Sequence, residues 1–291
     1  MHLRPNLVRL SDRASPRPPY RQGKTLDFPL DLGDRMSSLL AGDTAPRDVY
    51  SGTRMSQRAA LDTPPGHGRY CPICRRWYRR FLPFGIQRRH QALCPGCGAL
   101  ERHRYLWLYL ETALGVTSRS LSVLHIAPEP GIRQRLLDCR SVRYTSIDLH
   151  DPSATMAMDA GRLAFDAGSF DLILCCHVLE HIQDDHTALG EFARVLRPGG
   201  HAIILVPMDE NRPQTFEDPS IISTDGRMKA FGHPYHVRIC GRDYGDRIAS
   251  SGFHVTAVSS REMSAHSRRF YRINRLTLFD CRLPIARASV D

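Results

Sequence analysis

The sequence predicts an α/β fold, a mostly parallel sheet with helices on both faces, preceded by a small cysteine-rich module. Three observations carry this expectation. After Ser120, short apolar runs at 122–126, 142–147, 170–176 and 201–206 alternate with helical patterns, the arrangement that buries a parallel sheet between helices. Ahead of them, Cys71-Pro-Ile-Cys74 and Cys94-Pro-Gly-Cys97 form two CxxC pairs separated by nineteen residues. The 291 residues are 42% hydrophobic, enough for a core and too many for a wholly disordered chain.

Each element has its own local warrant. Residues 1–68 hold eight prolines and only brief apolar runs, which reads as an extended, partly disordered leader. Residues 69–104 form the cysteine module. A helix follows over 101–114, with Leu106, Leu110 and Leu114 on one stripe, Trp107 beside it, and Gly115 as a stop. The body, 105–291, then reads as strand 122–126, helix 132–138 and strands 142–147 and 170–176. Next comes a helix over 184–196 capped by Asp184 and Asp185. Pro198-Gly199-Gly200 ends that helix and feeds strand 201–206. A long polar insertion, 207–240, is expected to act as a lid or substrate loop. Helix 242–251 and strands 253–258 and 273–281 complete the chain.

The formal net charge is +10, and it is unevenly placed. Residues 1–110 carry 19 basic and 8 acidic side chains, whereas 111–291 carry 21 and 22. The excess therefore belongs to the leader and module. It admits two readings, a surface that steers an anionic partner such as RNA, or solubility in a chain that prefers arginine. No run of 18 apolar residues marks a membrane span, and the opening stretch lacks the apolar segment of a secretory signal. Nine cysteines, four clustered and five scattered, point to a metal site in a reduced, cytoplasmic protein rather than a disulfide framework.

Cys71, Cys74, Cys94 and Cys97 supply four soft ligands, the set required by a closed tetrahedral zinc centre. With no open position, such a zinc is structural and replaces a core that so short a segment cannot build. Around it stand arginines including Arg75, Arg76, Arg79 and Arg80, interleaved with Trp77, Tyr78 and Phe81. They suit phosphates and stacked bases. Equally, they suit charge compensation of a zinc–thiolate centre and packing against the next domain.

Residues 121–200 contain, in order, Val123-Leu124-His125-Ile126-Ala127-Pro128-Glu129-Pro130-Gly131, Ser146-Ile147-Asp148, Met158-Asp159-Ala160, Phe170–Cys175, His177-Val178-Leu179-Glu180-His181-Ile182 and Val195-Leu196-Arg197-Pro198-Gly199-Gly200. On these stretches the segment resembles a class I S-adenosylmethionine-dependent methyltransferase of the type 11 group. The module and the CPxCG…ERHR stretch resemble bacterial proteins that join a zinc-ribbon-like four-cysteine unit to this body. The resemblance implies a Rossmann-like sheet of seven strands. It implies that Asp148 accepts the ribose hydroxyls, that Asp159 with Ala160 meets the adenine amino group, and that Leu149 and Leu163 cover the base. It places Ala127, Glu129 and Gly131 around the methionine part. Here the sequence departs from the family, because Ala127 and Glu129 stand where glycine is usual and His125 replaces an acid. Glu129 is then expected to pair with the cofactor's ammonium.

His177 follows strand 170–176 and is the expected proton acceptor. In the insertion, His236 and Arg238 alternate across Val237, and an extended backbone would turn both to the cleft. There Arg238 would hold an anionic substrate. His233 and His236 alone are too few for a second metal site. The implied reaction is direct methyl transfer to a small molecule or biosynthetic intermediate. An RNA methyltransferase docking through its basic zinc module is one alternative, and a non-catalytic binding protein on the same fold is another. The sequence leaves the acceptor and the oligomeric state open.

Overall fold

The structure is a computed structural model that describes residues 21–22, 62–85 and 87–285. Most of the expected leader lies outside the described residues. Within it, strand β1 (Arg21–Gln22) pairs in parallel with Thr256 and Ala257. The module is built from two antiparallel hairpins, β2 (Arg69–Cys71) with β3 (Arg76–Tyr78), and β4 (Leu82–Phe84) with β5 (Arg89–Leu93). It leads into helix α1 (Glu101–Thr112).

The body follows as β6 (Leu121–Ile126), α2 (Pro130–Leu137), β7 (Val142–Asp148), β8 (Met156–Ala157) and β9 (Phe170–Cys176). Helix α3 (Asp185–Val195) and strand β10 (Leu196–Leu205) come next. The insertion contains β11 (Phe216–Glu217), α4 (Thr224–Phe231) and β12 (Arg238–Ile239). The chain then forms α5 (Tyr244–Ala249), β13 (His254–Ser259), α6 (Ala265–Tyr271) and β14 (Thr277–Arg282).

Seven strands lie in the order β8–β7–β6–β9–β10–β14–β13, with the short β1 beyond β13. The first five run parallel and β14 runs antiparallel to both of its neighbours. This is the mostly parallel, seven-stranded, Rossmann-like sheet expected from the sequence. Side chains alternate between its faces. Leu121, Val123, Leu172, Leu174, Ile203 and Leu205 join the core under the module, α1 and α2, whereas Leu124, Ile126, Ile173, Ala202 and Ile204 join that under α3 and α5.

Several boundaries differ from expectation. β10 begins at Leu196, not at 201, because Leu196 pairs with Phe170 before a register shift at the Pro198-Gly199-Gly200 bulge. A Cβ on Gly200 would come within 3.0 Å of both the Arg197 and Asp171 carbonyl oxygens, so only glycine fits there. The final strand starts at Thr277 rather than 273. The sequence reading omitted β8, α4 and α6, which have two, eight and seven residues, too short to display a clear period.

The expected boundary between 104 and 105 falls inside α1, and the module shares a single core with the sheet. Trp77, Tyr78 and Phe81 are buried. Trp77 lies against Tyr70 and Phe270, so these aromatics serve packing and are not exposed for base stacking. The joint is held by Arg104, which is fully buried. Its guanidinium donates to the carbonyl oxygens of Ala92 (3.0 Å), Ala99 (2.9 Å), Tyr271 (2.7 Å) and Arg272 (2.9 Å), and it lies 4.5 Å from the Phe81 ring centre. Burial pulls its pKa down, while Cys71, Cys94 and Glu101 oppose that pull. Replacing Arg104 by Met strands these carbonyls, which predicts a loss of about 3–5 kcal/mol. Urea unfolding of the metal-loaded chain checks this, and a loss below about 1 kcal/mol would contradict it.

Candidate functional site

The chain order reverses between β6 and β9, and the crevice beyond their carboxyl ends is where open α/β sheets bind ligands. Two non-glycine residues there adopt left-handed backbone, Ala127 (φ 48°) after β6 and His177 (φ 59°) after β9. Each costs about 1–3 kcal/mol and is held by the sheet. The Ala127 N–H donates to Ile147 O and the His177 N–H to Leu205 O, both at 2.8 Å.

Glu129 follows in the same turn. Its Oε2 lies 2.8 Å from His125 Nε2 and its Oε1 3.5 Å from His103 Nε2. Burial pushes this carboxyl upward, but the His125 hydrogen bond and the adjacent His103 outweigh it and bring the pKa to about 2. Burial also lowers His103, to about 4. The Leu100 N–H donates to His103 Nδ1 (3.3 Å), so the neutral ring carries its proton on Nε2, facing the carboxylate. Both Glu129 Oε1 and His103 Nε2 are buried without a hydrogen-bond partner. A ligand bearing an ammonium and a carboxylate would satisfy them.

Asp148 ends β7, and its Oδ1 accepts the His150 (2.7 Å) and Asp151 (2.8 Å) N–H groups, which fixes the carboxylate at the strand end. Asp159 Oδ1 accepts the Gly161 N–H at 2.8 Å. Ala160 and Leu163 are buried, whereas Leu149 is exposed. Gly131 has a further task. A Cβ there would lie 3.3 Å from Ile73 and 3.5 Å from the Cys97 carbonyl, so its bareness lets α2 press against the module.

Beyond β9, His177 Nδ1 lies 3.1 Å from Oε1 of the buried Glu180. Burial raises Glu180, but the neighbouring His177 more than reverses it and keeps the group ionised. His177 also borders a cavity of about 260 Å³, whose lining includes Arg102, Val206, Pro207, Met208 and Thr277. His236 lies beside His181 and His233, within electrostatic reach of Glu180 and His177, and burial lowers its pKa to about 4.

Arg238 requires a correction. It does not face the cleft. Its side chain is buried, and its donors go to the Leu179, Ile182 and Gln183 carbonyl oxygens and to Glu217. Asp185 lies 3.4 Å away. In β12 the alternation puts Arg238 against the body, where it fastens the insertion to the turn after β9 and its buried guanidinium is closed off from a substrate. Sequence reasoning missed His103, which lies 26 positions from Glu129 and meets it only through the docking of α1.

The Cys71, Cys74, Cys94 and Cys97 sulfurs all lie within 4.8 Å of one another. The Cys71–Cys97 and Cys74–Cys94 pairs are 3.6 and 3.7 Å apart. A tetrahedron with metal–sulfur bonds of about 2.3 Å has edges of about 3.8 Å, so the cluster fits a single ion.

Residues 93–204 match a family described as a methyltransferase domain. A ubiquinone biosynthesis O-methyltransferase from Ralstonia nicotianae is 37% identical over 60 residues, covering 19% of this chain and 25% of that protein. One from Cupriavidus pinatubonensis is 28% identical over 96 residues, covering 31% of this chain and 36% of that protein. The chain thus spans about a quarter to a third of the length of the curated relatives it matches. Among solved structures, the [4+2]-cyclase SpnF aligns with a TM-score of 0.46 at 15% identity, over 80% of this chain and 93% of that one. The 1,6-didemethyltoxoflavin N1-methyltransferase of Burkholderia thailandensis aligns at 0.42 and 16% identity, over 60% and 75%. No helix among the described residues is long and apolar enough to cross a membrane.

The site electrostatics predict that the His103 ring titrates near pH 4 in the folded chain, read from its NMR resonances. Glu129→Gln removes the anion that opposes burial, so the midpoint moves lower still. A midpoint near 6.5 that ignores the substitution would contradict this arrangement.

Proposed function

We propose that the chain is an S-adenosylmethionine-dependent methyltransferase acting on a small molecule or biosynthetic intermediate, with a structural zinc in its four-cysteine module. The observation that carries this reading is a pair of carboxylates at adjacent strand ends, Asp148 after β7 and Glu129 after β6. Glu129 retains a buried oxygen with no hydrogen-bond partner. The matched methyltransferase domain spans both.

Asp148 would take the ribose hydroxyls and Asp159 the adenine amino group, with Ala160, Leu163 and Leu149 around the base. Glu129 would take the ammonium, and Ala127 would line the turn beneath it. When bound, the cofactor supplies an electrophilic methyl group on a sulfonium. The protein's part is alignment, exclusion of water and proton transfer. His177 Nδ1 lies 3.1 Å from the ionised Glu180, and its Nε2 would receive the acceptor's proton. A cavity of about 260 Å³ beside His177 would leave room for a small polar group of the acceptor. Burial of Trp77, Tyr78 and Phe81 removes the stacking platform that would favour RNA.

Calorimetry tests the pocket. S-adenosylmethionine and its demethylated product bind the zinc-loaded chain, and Asp148→Ala weakens both at least tenfold, about 1.4 kcal/mol. Absence of binding to the folded wild type would overturn the reading. With labelled cofactor and fractionated cell extract, label is expected in small molecules, whereas label in nucleic acid would overturn the acceptor class. Metal analysis after dialysis is expected to return one tightly held zinc.

A further inference from the structure

We propose that His181, His233 and His236 form a second metal site, which takes a divalent transition ion such as zinc or cobalt and ties the insertion to the turn after β9. One ligand nitrogen from each histidine lies within 4.8 Å of the others. The ring centres of His233 and His236 are 4.3 Å apart, and His181 meets the latter at 4.8 Å and the former at 5.6 Å. Three imidazoles converging from two chain segments are the ligand set of an open zinc-type site, which leaves at least one position for water or another ligand.

Surrounding groups prepare this set. The Tyr235 carbonyl lies 3.1 Å from His181 Nδ1. A carbonyl only accepts, so the proton sits on Nδ1 and the Nε2 lone pair is free, the orientation that metal-bound histidines commonly receive from a second partner. His233 Nδ1 accepts a long 3.3 Å bond from the Tyr235 N–H, which coordination through that nitrogen would replace. Glu180, next to His181 in sequence, is fully buried. Its carboxylate oxygens have no hydrogen-bond partner, although His177 Nδ1 approaches Oε1 to 3.1 Å. It places an anion beside His233 and His236. Arg238 and the Val237 N–H, which donates to the Glu180 carbonyl at 2.9 Å, hold the two ligand segments in register from behind. Cys71, Cys74, Cys94 and Cys97 form a separate cluster with different ligand chemistry.

The test uses the full chain with its four-cysteine cluster already filled with zinc. Equilibrium dialysis against micromolar cobalt(II), followed by metal analysis, is expected to add one exchangeable equivalent to the wild type. The absorption of that equivalent should show weak ligand-field bands without the strong thiolate charge-transfer bands of a sulfur site. His236→Asn and His181→Asn should each weaken it at least tenfold, while the tightly held zinc and the circular dichroism spectrum stay unchanged. His181 is exposed, so its substitution supplies a folded variant even if His236→Asn unfolds. No added equivalent in the wild type would overturn the proposal, and so would an added equivalent that survives both substitutions or carries thiolate bands. Cofactor binding to the wild type is read separately by calorimetry and does not depend on this outcome.

Discussion

The structure depends on how one buried guanidinium is satisfied. Arg104 lies at the meeting point of the module, the first long helix and the C-terminal part of the chain, and it donates to carbonyl oxygens from both flanks. A buried charge is tolerated only where hydrogen bonds and opposite charge surround it. The carbonyls supply the first, and the sulfurs of the cysteine cluster with Glu101 supply the second. A divalent ion held by four thiolates would carry a net charge of −2, which Arg104 would partly offset. Part of the basic excess in residues 1–110 is therefore used by the fold itself, by the buried Arg104 and by the half-exposed Arg89 at 3.2 Å from the buried Glu101.

That joint has a consequence for the crevice. Once α1 is docked, His103 caps its first turn through Nδ1 and turns Nε2 towards Glu129. Gly131 lets the next helix approach Cys97 closely. The turn after β6 is thus supported by His125 from beneath and by the module from the side. An ordinary glycine-rich turn shapes itself by backbone freedom. Here Ala127 is forced into left-handed backbone and Glu129 is kept ionised by two histidines, so side-chain contacts supply much of the order.

The sheet was legible because its signals are local. Short apolar runs in 122–126, 170–176 and 201–206 placed three central strands, and the CxxC pairs marked the cluster by spacing alone. What escaped the sequence was long-range or short. His103 reaches Glu129 only after α1 docks, and no local pattern marks that encounter. Arg238 was misread for a related reason. Alternation says that neighbours face opposite sides, but only tertiary packing decides which side is the cleft. His181 and the 233–236 segment are separated by more than fifty residues and meet because Arg238 pins one to the other. Short elements such as β8 and α4 depend on these contacts more than on propensity.

The four-cysteine cluster, Arg104 and the turn after β6 behave, on this view, as one cooperative unit. Hydrogen exchange of the full chain, compared between the metal-loaded state and the state stripped by a thiol-competing chelator, tests that claim most directly. Stripping is expected to raise exchange together across 94–104, 125–131 and 271–273. Faster exchange confined to 69–97, with the turn at 125–131 unchanged, would contradict it.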